Sequence, residues 1–71
     1  MKDTLNVKLG QHRVRYSIIS SDDQWQVLRW IAVYGDWEAD PSYLPKYNDK
    51  RKAKRRMHHD LRALRAESSY Y

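Results

Sequence analysis

The sequence predicts a small α+β domain, an N-terminal β-hairpin packed on two helices. Three observations lead there: apolar residues alternate before position 20, a capped apolar run follows, and an unbroken basic helical stretch begins near Asn48. The 71 residues are read as one domain, 1–71, with a thin stability margin. A chain this short buries only about 60% of the surface its unfolded form exposes. There is no cysteine, so neither a disulfide framework nor a thiolate zinc site is expected, and a reducing cytoplasm is the predicted location. Met1 to Leu5 does not form an apolar leader, and no apolar run approaches the roughly 18 residues of a spanning helix, so membrane partners are not expected.

Two strands open the chain, over 4–9 and 13–20, because Leu5, Val7 and Leu9 and then Val14, Tyr16 and Ile18 alternate with polar residues. Gly10-Gln11-His12 is the expected turn. Asn6, Lys8, Arg13, Arg15 and Ser17 then share the opposite face, wet and mildly basic. A helix is predicted over about 22–34, capped by Ser21, with Asp22, Asp23 and Gln24 at the positive end of its dipole and Gly35 as its stop. Trp25, Leu28, Ile31 and Ala32 would form its buried face. The alternative is a third strand over 25–34, since Val27, Trp30, Ile31, Val33 and Tyr34 all favour sheets.

Residues 36–47 read as a structured connector, with Asp40-Pro41 starting a single helical turn through Tyr43 and Leu44 that Pro45 ends. A second helix is predicted over about 49–66, capped by Asn48 and with Asp49 in its first turn. Ala53, Met57, Leu61 and Leu64 fall on one stripe, opposite Arg51, Lys52, Arg55, His58, His59 and Arg62. Residues 67–71 are expected to fray, with Tyr70 and Tyr71 folding back on the core as the alternative.

Charge is segregated along the chain. Residues 21–40 hold Arg29 against five acids, whereas 46–65 hold nine Lys or Arg against Asp49 and Asp60. Such asymmetry steers a molecule toward polyanions or acidic protein surfaces. The basic helix face therefore carries the leading functional expectation, a non-enzymatic nucleic-acid-binding accessory protein. Arg51, Lys52, Arg55, Arg56 and Arg62 would contact phosphates, Lys46, Lys50 and Lys54 would add to the field, and His59 would extend the face. A solvated helix face is the plainer reading of the same residues.

The aromatic set is three Trp and six Tyr without Phe, a bias toward rings with a polar edge. Tyr16, Trp25 and one of Trp30 or Trp37 are expected in the core. Trp37, Tyr43 and Tyr47 are candidate contact anchors. They support the alternative function, a small inhibitor or regulator that docks its basic helix and exposed rings on a nucleic-acid-processing complex such as a polymerase or nuclease. A homodimer through Trp30 and Val33 is a third expectation.

No metal site is expected. His58 and His59 are neighbours and point roughly 100° apart on a helix, and Asp36, Glu38 and Asp40 lack the glycine turn and distal Glu of a calcium loop. Those three acids are expected in solvent or paired with the basic helix. No phosphate loop, nucleophile elbow or Cys-His set is present, so neither catalysis nor a cofactor is predicted. The helix-turn-helix is excluded because the predicted helices are separated by 35–48, far more than the three or four residues that motif uses.

Overall fold

The computed structural model describes residues 3–68. Strands β1 (Asp3–Leu9), β2 (His12–Ser21), β3 (Gln24–Val33), β4 (Asp36–Trp37) and β5 (Ser42–Tyr47) form one antiparallel sheet, followed by helix α1 (Lys50–Ser68). The strand order is β1-β2-β3, and the far edge of β3 is shared: its first half pairs β5 and its last two residues pair β4.

The α+β class holds, but a single helix replaces the expected two. The segment expected as a helix over 22–34 is β3, so the third-strand alternative is the one realised. Asp22 and Asp23 do not follow a helix cap. They form a two-residue hairpin loop with φ of 52° and 60°, the positive angles of a type I′ turn, which matches strand twist. Tyr34-Gly35 repeats the device between β3 and β4, at φ of 56° and 92°. The turn between β1 and β2 needs only Gly10 at positive φ.

The single helical turn expected over Asp40 to Leu44 is also absent. Ser42–Tyr47 is extended and pairs with β3. Pro45 fits there because β5 is an edge strand whose register against β3 shifts between Gln26 and Leu28, so a missing N–H breaks no regular ladder. Predicted core residues Tyr16 and Val14 are fully buried, whereas Trp25, Trp30 and Trp37 are each half-buried. The expectation for Tyr70 and Tyr71 lies outside the described residues.

One sheet face carries the core. Leu9, Val14, Tyr16, Ile18, Val27 and Leu44 meet Ala53, Met57 and Leu61 of α1, flanked by Leu5, Val7, Trp25, Ile31, Tyr47 and Leu64. Each fully buried aliphatic side chain contributes roughly 1.5–3 kcal/mol by leaving water.

A polar clasp crosses this layer. Tyr16 Oη donates to Asp60 Oδ2 at 2.6 Å, and Arg29 Nη1 donates to Asp60 Oδ1 and Oδ2 at 3.0 and 2.9 Å. Strands β2 and β3 thereby hold one carboxylate of α1 between them. Burial first, then the hydrogen bond to Asp60, raises the Tyr16 phenol well above its ordinary value of 10.0. Burial works against the Arg29 charge, but the hydrogen bond and charge of Asp60 outweigh it, so its pKa is raised.

Asp60→Asn strands the Arg29 guanidinium and is expected to cost about 2–3 kcal/mol in chemical denaturation. The low end applies because the paired side chains keep 22% and 15% exposure. The raised Tyr16 pKa means that the folded state keeps a proton which the unfolded state gives up. Its contribution is therefore complete below pH 10 and falls as pH rises above it. Tyr16→Phe should lower stability at neutral pH and flatten that alkaline decline, and an unchanged alkaline slope would contradict the clasp. Asn-Gly in place of Asp22-Asp23 should stabilise by about 1 kcal/mol, read as a melting temperature about 4–8 °C higher.

Candidate nucleic-acid interface

Helix α1 begins where a side chain can satisfy its free amides. Asp49 Oδ1 accepts from Arg51 N at 2.9 Å, while the Asp49 carbonyl receives Lys52 N and Ala53 N. Asp49 is thus the cap, a role expected of Asn48, and its charge also suits the positive end of the dipole. Glycine and proline are absent from 50 to 68, so nothing breaks the helix once started.

Ala53, Met57 and Leu61 turn inward, which sends Arg51, Lys52, Lys54, Arg55, His58, His59 and Arg62 into solvent. Asp60 is the sole acid in the sequence between Lys50 and Ala66, and it is turned inward in the clasp. The outward face is therefore cationic without internal neutralisation. Arg51, Arg55 and Arg62 lie along one side, roughly 6 and 10 Å apart at 1.5 Å rise per residue. Their guanidinium groups can each present a planar fork to a phosphate.

Two of the expected helix cations are half-buried and withdrawn from the outward face. Lys50 is half-buried, paired with Asp3 of β1 and 5.4 Å from the centre of the Trp25 ring. The hydrogen bond from Lys50, ahead of its charge, holds the Asp3 carboxyl below its ordinary value. Arg56 is half-buried at the margin of the helix-sheet contact, its Nε without a hydrogen-bond partner among the described residues. Of the expected helix cations, the exposed set is accordingly Arg51, Lys52, Lys54, Arg55, His59 and Arg62.

Lys46 separates from this group. It pairs in register with Gln26 on β5 and belongs to the sheet face that points away from α1. The three candidate anchors also divide. Tyr47, opposite Trp25, packs against the core on the helix side. Trp37, opposite Ala32, and Tyr43, opposite Leu28, lie on the far side of the sheet. A single patch that joins the outward helix face to Trp37 and Tyr43 is not formed.

That far face contains residues absent from the expected site. Arg13 and Arg15 of β2 stand 5.4 and 4.3 Å from the centre of the Trp37 ring, and Trp30 pairs in register with Arg15. The alternation in β2 already showed both arginines facing away from the core. Trp30 joins this face because 24–33 is a strand in register with β2.

The acids are gathered elsewhere. Asp22 and Asp23 form a hairpin loop, while Asp36, Glu38 and Asp40 are exposed around β4. Among the described residues no group of three or more His, Cys, Asp or Glu could hold a metal ion. No described helix is long and apolar enough to cross a membrane. No protein-family model, curated protein or solved structure matches this chain.

Proposed function

We propose that this chain is a non-enzymatic nucleic-acid-binding accessory protein whose outward helix face contacts phosphates. The observation that carries the reading is the side of α1 where Arg51, Lys52, Lys54, Arg55 and Arg62 are all exposed, while its interior acid is consumed by the clasp. A polyanion that docks there releases the counterions condensed on its phosphates, and this entropy gain supplies most of the affinity. Contacts to phosphate carry no sequence information, so binding through this face is expected to be general.

The regulator reading needs the basic helix and the exposed rings to meet one partner surface. Trp37 and Tyr43 face away from the helix, so no observation favours that arrangement over phosphate binding.

The test is fluorescence anisotropy of a labelled DNA duplex titrated with protein over a range of salt. Log affinity should fall linearly with log salt, and Arg51→Gln with Arg55→Gln should reduce that slope by about two units. Affinity insensitive to salt, or a slope unaltered by the double substitution, would overturn the proposal.

A further inference from the structure

A sheet covered by one helix on one side ordinarily leaves its other side polar. Here the uncovered side is partly apolar. Leu28 and Ala32 face outward from β3 yet keep only 7% and 1% exposure, because neighbouring outward side chains lie over them. Ala32 pairs with Trp37 and Leu28 with Tyr43, so both rings are carried on the strands next to this floor. Ile19, at 43% exposure, lies on the same side.

Charge on this face has one sign. Among the described residues its strand positions include Lys8, Arg13, Arg15 and Lys46 and no Asp or Glu. Arg15 is held in place twice, by donating from Nε to Asn6 Oδ1 at 3.1 Å and by lying over Trp37. Arg13 flanks the same ring. Cation–π contact of this kind fixes a guanidinium without neutralising it, unlike a carboxylate partner. A shallow depression of about 330 Å³ runs beside these groups, lined by Asn6, Lys8, Arg13, Arg15 and Trp37 together with Val7 and Val14.

We propose that the outer sheet face is a second binding surface, for single-stranded nucleic acid. The exposed ring of Tyr43 and the half-buried ring of Trp30 stack on bases, and Arg13, Arg15 and Lys46 hold the backbone. Rings interleaved with fixed cations match the two parts of an unpaired strand, its base faces and its phosphates. A duplex offers phosphates without open base faces. Its base faces are hidden in the stack, and its major groove admits a helix or a two-stranded ribbon, narrower than this sheet. The surface is distinct from the helix face and stands or falls separately from it, because the sheet lies between the two.

The geometry provides an intrinsic reporter. Of the three tryptophans, Trp30 and Trp37 lie on this face, while Trp25 lies on the helix side beside Lys50. The experiment titrates the full chain with an oligothymidylate of about 12 nucleotides, a length within the site sizes of such proteins. Tryptophan emission is followed, with a duplex of equal length titrated in parallel. The parent should show quenching on binding the single strand. Arg13→Gln with Arg15→Gln should weaken single-strand affinity about tenfold or more and lower its salt slope by about 1.4 units. Tyr43→Ala, at a ring 64% exposed, should weaken it about tenfold.

The helix variant Arg51→Gln with Arg55→Gln should keep the single-strand quenching while its duplex affinity falls. Circular dichroism establishes that each variant is folded, and if the arginine pair fails to fold, Tyr43→Ala decides the matter. Three results overturn the proposal: absence of quenching in the parent, single-strand affinity unchanged in the folded sheet variants, or loss of the single-strand signal in the helix variant. That last result would leave the helix-face reading intact and assign both ligands to it.

Discussion

Asp60 is the hinge of the structure in the physical sense. It is a carboxylate in the middle of a helix otherwise crowded with cations, and it turns inward to accept from Tyr16 on β2 and Arg29 on β3. An unpaired guanidinium in the middle of a sheet would be costly to bury, and so would an unpaired carboxylate under a helix. Together they become a cross-link that aliphatic contacts alone would not supply. Ala53, Met57 and Leu61 would tolerate some rolling of the helix, since apolar contact is not directional. The hydrogen bonds from Arg29 Nη1 to both oxygens of Asp60 are directional, and they fix which side of α1 faces water.

That orientation decides the electrostatics. With Asp60 turned inside, no acid stands in the sequence between Arg51 and Arg62 on the outward side of α1. Asp22 and Asp23 sit on the loop between β2 and β3, and Asp36, Glu38 and Asp40 lie in or around β4. Glu38 adds to the charge that supports Arg29, so part of the acidic segment serves the clasp. The molecule presents a cationic helix on one broad side and a cationic, aromatic sheet on the other. Two such faces on one small body suit a protein that holds nucleic acid in more than one way, and both readings rest on charge left unpaired by the fold.

Much of this was legible in the sequence. The β1–β2 hairpin and the C-terminal helix followed directly from period-2 and helical spacing, because each has one apolar and one polar side. The segment 24–33 did not, for a physical reason. Its inward side carries Arg29 and its outward side carries Leu28, Trp30 and Ala32, so the alternation that marks a strand is scrambled at both faces. The inward Arg29 makes sense only once Asp60, thirty-one residues later, is brought against it. The outward apolar residues make sense only once β4 and β5 fold beside them. Asp22-Asp23 read equally well as a helix start, since a short acidic pair suits both a dipole and a left-handed turn.

The candidate site was legible in part for the same reason. The helix face could be read from spacing alone, whereas the diversion of Lys50 to Asp3 and the retreat of Arg56 depend on contacts with the sheet. The face formed by Arg13, Arg15, Trp30 and Trp37 required three strands in register before its residues became neighbours.

The central claim is that the two cationic faces, on opposite sides of the sheet, are the surfaces that meet nucleic acid. It is tested most directly by amide chemical-shift mapping of the isotope-labelled chain, titrated separately with duplex and with single-stranded oligonucleotide. Duplex-induced shifts are expected along the outward side of α1, centred on Arg51, Arg55 and Arg62, and single-strand shifts on β2 and β3 around Arg15 and Trp30. Shifts confined to the acidic segment around β4, or no shifts at low salt with either ligand, would contradict it.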